Sequence, residues 1–518
     1  MSRGMAIEAP TGLLRVLTTI DFLFMALLIM GFGLKGVPVL IFSAYAFPNT
    51  HLVASVIVIL AATMIFSLMY ARFSGAVARS GGDYVYVSRF LHPALGFASN
   101  LNIVFINVLW LALSSILTAY TLVLAVAGVG VATNSAELVS GGRMLLRSPY
   151  AIPAIGFVVL AIYGFLSNLS IRAWRRLQIA AGIIGVVGML AGIGLLAITE
   201  KSVIAEAIAN TFGRGKATLL QLAYESGYNP EVVDPLHVVG ASAALGLVML
   251  FSFYPVYMGG EASSRGFKAF ASAMIGASLI TAGLLIGFII PVYGALGREF
   301  PTAIGSLLMK TPSNIFLLMD YYILMLKYLA FPPAAIVLLA ISPIAWAFML
   351  SLNLALASSR CIFAWSLDGL APLKLSYVTK KWRAPLYANL VTVVAAAVLL
   401  LIISTNVFLV IAFFGSTGSL LISMFLTSLT AIKASLKGEL PSGKEKAMPV
   451  LGAASAILTL LLLSFYVTNP RLGFIHPLTL SIFAAVWAAG LLWYYIALRY
   501  RRARGQEITE LLKKLPPG

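Results

Sequence analysis

The stretch Phe22-Leu23-Phe24-Met25-Ala26-Leu27-Leu28-Ile29-Met30-Gly31-Phe32-Gly33-Leu34-Lys35-Gly36 decides the fold class. Its first nine residues, Phe22 to Met30, are all apolar, and the apolar run extends over 14–46. That is more than the roughly 20 residues needed to cross a bilayer as a helix. The same character runs through all 518 residues, of which 61% are hydrophobic and only 10% charged. Mean hydropathy is +0.99. A soluble domain carries about 25% charge, and its surface could not hide this much apolar area. A soluble enzyme, a coiled coil and a disordered chain are excluded. Unbroken apolar runs also exclude a transmembrane β-barrel, whose strands alternate. The reading is an all-α polytopic membrane protein.

Twelve apolar runs follow one another: 14–46, 51–71, 94–128, 151–168, 177–199, 237–260, 269–296, 333–358, 386–404, 407–432, 448–467 and 477–498. They are called spans 1 to 12. The N-terminus shows no cleavable signal, so span 1 is expected to remain as a helix. The net charge is +18, from 35 Lys and Arg against 17 Asp and Glu. With both termini placed in the cytoplasm, 25 of the 35 positive residues fall on that side, as the positive-inside bias requires. The charge is therefore read as orientation in the cell membrane and not as nucleic-acid binding; no basic patch interleaved with aromatics appears. Residues 314–330 hold Asp320 and Lys327 and are read as short helices on the external face, since charges at bilayer depth are costly. Residues 200–236 form the longest polar connection and split the spans into five and seven. The chain then divides into a cytoplasmic segment 1–13, a first five-helix repeat 14–199, an external loop 200–236, a second inverted five-helix repeat 237–435, two additional helices 436–500, and a cytoplasmic tail 501–518.

Two spans carry breaks. Span 1 has three glycines within Met30-Gly31-Phe32-Gly33-Leu34-Lys35-Gly36, each weakening a helix by roughly 1 kcal/mol. Span 6 has Phe251-Ser252-Phe253-Tyr254-Pro255-Val256-Tyr257-Met258-Gly259-Gly260, where Pro255 removes a donor and crowds the preceding turn. These are the first helices of the two halves. Paired interruptions in matching spans point to a substrate site at mid-membrane, where freed backbone groups face a cavity. Gly31 to Gly36 also fits G-x-G-x-x-G, but it follows no strand and no acid occurs between Asp21 and Asp83, so a dinucleotide site is rejected. Lys35 either serves the site, as a carboxylate ligand or a tethered amine, or snorkels to the external interface.

Three stretches carry a resemblance. Arg79-Ser80-Gly81-Gly82-Asp83-Tyr84-Val85-Tyr86 leads through Ser88-Arg89-Phe90-Leu91-His92-Pro93 to Gly96-Phe97. Ser359-Arg360 precedes Leu367-Asp368-Gly369-Leu370-Ala371-Pro372 and Arg383-Ala384-Pro385-Leu386-Tyr387. Glu261 follows the span 6 break and precedes Lys268. In this order, over about 14–435, they resemble the amino-acid permeases of the amino acid–polyamine–organocation (APC) superfamily. The resemblance implies a LeuT-type fold of 5+5 inverted repeats plus two C-terminal helices. It implies a substrate between spans 1, 3, 6, 8 and 10, with the span 1 break offering N–H groups to a carboxylate and the span 6 break offering carbonyls to an amine. The family's usual Gly-Ser/Ala-Gly/Ser-Ile-Phe in span 1 is replaced by Met30 to Gly36. The span 5 lysine of some sodium-independent relatives is also missing; its place is about Gly185.

On this reading the substrate-binding candidates are Met30, Gly31, Phe32, Gly33, Leu34, Asn107, Trp110, Phe253, Tyr254, Tyr257, Ser351, Asn353 and Phe413. Coupling or gating candidates are Asp21, Lys35, Gly81, Gly82, Asp83, Glu261 and Arg265. Asp83, Arg89, Glu261 and Arg265 are expected to pair across the cytoplasmic face. Phe413 and Phe414 with Ser416 and Thr417 form a candidate aromatic lid. No catalytic or metal site is expected: His51, His92, His237 and His476 are scattered near loops, and Cys361 is the only cysteine. The expected function is a permease for amino acids or related organic amines, coupled to protons, to sodium or to exchange, without cofactor or ATP hydrolysis. The rivals are a transporter-like sensor or channel and a membrane-embedded lipid-modifying enzyme.

Overall fold

The computed structural model describes residues 7–8, 11–212, 216–309, 324–329, 331–406, 410–440, 445–505, 512 and 514–515. Among these, eleven helices are long and apolar enough to cross a membrane, and twelve if one bent pair is counted as a span. They are Thr19–Ala46 (span 1), Leu52–Ala76 (span 2), Pro93–Ala132 (span 3), Ile171–Ile198 (span 5), Pro235–Tyr257 (span 6), Phe267–Leu296 (span 7), Pro333–Leu367 (span 8), Leu386–Thr405 (span 9), Val410–Leu436 (span 10), Met448–Thr468 (span 11) and Pro477–Arg502 (span 12). Span 4 is Ala151–Leu166, preceded by an amphipathic helix Ala136–Arg147 that meets it at 88°.

Local chemistry sets the helix starts. Thr18 and Asp21 form a reciprocal capping box at span 1, with the Thr18 backbone N–H donating to Asp21 Oδ2 at 2.7 Å. This cap moves the start of span 1 from the expected residue 14 to Thr19. Leu14–Arg15 instead pairs as a short antiparallel strand with Ile7–Glu8, the one departure from helix among named elements. Asp234 caps span 6 through Leu236 N–H, and Pro235 takes the first helical position, where its missing N–H costs nothing. Residues 200–236 are not an open loop. They hold the helices Lys201–Phe212 and Lys216–Glu225, whose apolar sides join a small separate core. Most of 314–330 and of the tail lies outside the described residues; 324–329 is helical.

Span 8 lies along span 3, and both are buried over most of their length. Spans 1 and 6 complete the inner group. Spans 5, 9, 11 and 12 turn large apolar side chains outward, including Ile183, Leu190, Leu390, Val398, Ile457 and Leu492. That is the pattern of lipid-facing helices around a packed interior.

The described segment before span 1 and the end of span 12 meet on one face. The N-terminal segment bonds to the end of span 6, with Leu17 N–H donating to Glu261 O at 3.0 Å. Arg501, at the end of span 12, donates to Gly369 O at 3.0 Å. We call this the terminal face.

Candidate functional site

Both breaks read from the sequence are present. Span 1 runs as α-helix to Met30, turns at Gly31 in the left-handed region (φ 67°), passes through a wide turn over Phe32–Gly36, and resumes as Val37–Ala46. Glycine tolerates that φ without the Cβ clash other residues meet. Span 6 ends its α-helix at Met249 and tightens into a 3₁₀ stretch, Leu250–Tyr257, then Gly259–Glu261. The departure begins five residues before Pro255. A proline ring collides with the carbonyl side of the turn before it, so the change starts upstream of the expected position.

The two breaks touch through one side chain. Lys35 is buried at 5% exposure. Its Nζ lies 4.1 Å from the ring centroid of Phe251 in the span 6 break and 5.1 Å from that of Trp110 in span 3. Of the two readings of Lys35, snorkelling does not fit this burial: the amine points into the bundle. Phe413 stands edge-on to Trp110 at 5.6 Å, and Trp110 Nε1–H donates to Ser416 Oγ at 3.1 Å. Phe414 instead stacks on Phe42 at 4.2 Å. The candidate lid residues Phe413, Phe414 and Ser416 thus link span 10 to spans 1 and 3.

The other candidates fall into two groups. Tyr254 O–H donates to Asn107 Oδ1 at 2.6 Å, and Phe253 stacks on Tyr70 at 4.4 Å, so both remain beside the span 6 break. Phe32 meets Trp346 edge-on, and a Cβ added to Gly33 would collide with that same indole. Leu34 is buried next to them. Met30 faces span 7, where its sulfur accepts from Thr281 Oγ1 at 3.6 Å. Ser351 donates to Ser114 Oγ at 2.7 Å, and Asn353 Oδ1 accepts from Trp174 Nε1 at 3.1 Å. These last three spend polar or sulfur atoms on helix–helix bonds.

Trp346 is a residue that the sequence reading missed. Its indole fills the space between Gly33 of span 1 and Gly185 of span 5; a Cβ on Gly185 would come within 2.8 Å of Nε1. The only sequence signal was two glycines in different spans, and nothing in either span names the ring between them. Phe251 was quoted within the break, but its place beneath Lys35 was not foreseen.

The terminal face is closed by ion pairs, though not in the expected combinations. Glu261 pairs with Arg360 (Nε–Oε1 2.8 Å), Arg89 with Asp368 (2.6 Å) and Asp21 with Arg175 (2.8 Å). The acids of all three pairs are buried and not solvent-exposed. Arg265 donates to Ala262 O at 3.2 Å; partial burial and then Arg15 and Arg79 hold its guanidinium below the usual range. The Gly81-Gly82 turn packs against span 6, with Gly81 N–H donating to Tyr257 O at 3.3 Å. Both glycines have positive φ, 96° and 52°. A Cβ on Gly82 would lie 2.6 Å from Val256. Asp83, the next residue, has no ion-pair partner among the described residues. Among those residues no group of His, Cys, Asp and Glu could hold a metal.

Residues 17–491 match the model of the amino acid permease family. The chain belongs to this family. A solved structure described as MhsT in complex with L-phenylalanine is similar in fold, with a TM-score of 0.52 at 16% identity, covering 86% of this chain and 98% of that one. No curated protein sequence matches. The permease is thus a LeuT-fold membrane protein whose two broken helices meet at Lys35.

Proposed function

We propose that this permease is a secondary transporter that moves amino acids or related carboxylate-bearing amines by alternating access, with the substrate held between the span 1 and span 6 breaks. One observation carries the reading: the Lys35 amine, in the span 1 break, sits over Phe251 in the span 6 break at 4.1 Å. The Leu34 and Lys35 N–H groups are taken by Gly31 O, so carboxylate recognition falls to the buried Lys35 amine. Phe251, Phe253, Trp110 and Phe413 supply apolar walls for a side chain. Asn107 and Tyr254 supply polar groups that orient it, as small-molecule sites require. Asn107 Nδ2 is buried without a partner among the described residues, and so is available to a ligand. The similar structure's phenylalanine is consistent with an aromatic-lined site of this kind. The positive-inside bias supports a cytoplasmic terminal face. The chemistry is translocation, with no bond made or broken in the substrate.

Counterflow in proteoliposomes tests this. Vesicles preloaded with a mixed amino-acid pool should take up a defined subset of labelled amino acids. The Lys35→Ala variant should take up the same subset with weakened affinity. Absence of entry for every amino acid would overturn the reading in favour of a sensor.

A further inference from the structure

Six Asp, Glu, Lys and Arg residues are buried as whole residues among the described ones: Asp21, Lys35, Asp83, Glu261, Arg360 and Asp368. Four of them sit in the three ion pairs of the terminal face. Of the four buried acids, only Asp83 has no cation beside it. It is 1% exposed, and its Oδ2 has no hydrogen-bond partner among the described residues. Oδ1 accepts from Asn100 Nδ2 at 3.3 Å, and Asn100 is itself fixed by Trp365 Nε1–H at 2.8 Å and by Cys361 Sγ at 3.4 Å. An isolated carboxylate in such a place is held far more cheaply with its proton on.

We propose that Asp83 is the coupling-proton carrier of this transporter, protonated while the terminal face is closed and deprotonated when that face opens to water. The proposal rests on the transporter reading and names the coupling ion.

The placement supplies the mechanism. Asp83 opens the helix Asp83–Phe90 between spans 2 and 3, directly after the Gly81-Gly82 turn that bonds to Tyr257. It therefore sits where the turn and the end of broken span 6 must separate. The groups that face it are Tyr70 from span 2, Tyr86 from its own helix, Asn100 from span 3, Tyr254 and Tyr257 from span 6, and Cys361 from span 8. All are uncharged. The ion pairs Glu261–Arg360 and Arg89–Asp368 of the same face are satisfied within themselves. Phenols, an amide and a thiol suit a hydrogen-bonded carboxyl and not the oxygen shell of a hard cation. Burial raises the Asp83 carboxyl to about 7, with Tyr257 and Asn100 pulling the other way. Separation of the turn from span 6 would admit water, restore the ordinary acidity and release the proton. Rings carry the link to the substrate: Tyr254 packs on Tyr257 at 5.2 Å and on Phe251 at 5.2 Å, and Phe251 touches Lys35.

The test uses purified full-length protein in sodium-free proteoliposomes, with the substrate found by counterflow. Wild type should accumulate substrate under an imposed pH gradient. Asp83→Asn should lose accumulation, keep counterflow, and show counterflow that no longer varies with pH through neutrality. Asp83→Glu should restore accumulation. Retained counterflow shows that the Asn variant is folded. pH-difference infrared spectroscopy adds a readout free of transport: a protonated-carboxyl band should titrate near neutral pH in wild type and be missing in Asp83→Asn. Equal pH-driven accumulation by Asp83→Asn, or a wild type without that band, overturns the proposal. Counterflow in wild type without pH-driven accumulation also overturns it, and leaves the transporter reading standing. Absence of counterflow in wild type sinks the transporter reading itself.

Discussion

Lys35 and Asp83 are buried ionisable groups without an opposite charge beside them among the described residues. Stability and function should therefore pull apart at both positions. Removing an ion from water costs several kcal/mol even after relaxation. The rings under Lys35 return about 2 kcal/mol, less than that cost. Lys35→Met keeps the stem length and removes the charge, so it should raise the melting temperature, by on the order of 1–3 kcal/mol of stability, while weakening substrate entry. A variant that is both less stable and transport-normal would refute the placement of the amine. At Asp83 the sign depends on pH. In the folded protein its carboxyl titrates at about 7, above the ordinary aspartate value of 3.8. Between those values the folded protein binds more protons than the unfolded chain, so this group's contribution falls as pH rises. Asp83→Asn should match wild type below about pH 4 and exceed it above about pH 7. Each pH unit between the folded and unfolded titrations is worth up to roughly 1.4 kcal/mol of that gain. Paired melting curves across pH read this directly.

At the scale of elements, the spans and breaks were legible because their causes are local. Apolar length marks a span, three clustered glycines mark a weak helix, and a mid-span proline marks a broken one. The start of span 1 was misplaced because a capping box at Thr18 and Asp21 outweighed hydropathy. Partners were illegible for a different reason. Arg360 and Glu261 stand 99 residues apart, Arg175 and Asp21 154, and Arg89 and Asp368 279. No local pattern links them; only the packing of spans 1 to 8 does. The same holds for Trp346, wedged between glycines of spans 1 and 5. That wedge makes a prediction about the span 1 break. Gly33→Ala should destabilise by about 1–3 kcal/mol, as overpacking does, because its methyl would strike the indole. Trp346→Phe alone should also destabilise, through the cavity it leaves. Combined, the two should cost less than their sum, since the smaller ring frees the room the methyl needs. Strict additivity in a double-mutant cycle of melting temperatures would show that the glycine and the ring do not touch.

At the scale of the whole molecule, charge and geometry make independent statements about orientation. Of 35 Lys and Arg, 25 gather on the side assigned to the termini. The bundle brings the segment before span 1 and the end of span 12 to that same face, through Leu17 against Glu261 and Arg501 against Gly369. The opposite face is held by Asn49, whose Oδ1 accepts from Asn229 N–H at 2.7 Å and whose carbonyl accepts from Asp234 N–H at 3.0 Å. The positive-inside bias predicts a cytoplasmic terminal face. The native chain is suited to a direct test, because its one thiol, Cys361, is fully buried and should not react. Lys437, just beyond span 10, is exposed on the terminal face, where the nearby Lys433 Nζ donates to Leu91 O. Val232 is 40% exposed in the connection at the other end. A membrane-impermeant maleimide added to intact cells should label Val232→Cys at once and reach Lys437→Cys only after permeabilisation. The reverse pattern would invert the protein in its membrane. It would place Asp83 and the closed ion-pair face toward the exterior, so that an external acid pulse, and not an internal one, would meet the carboxyl first.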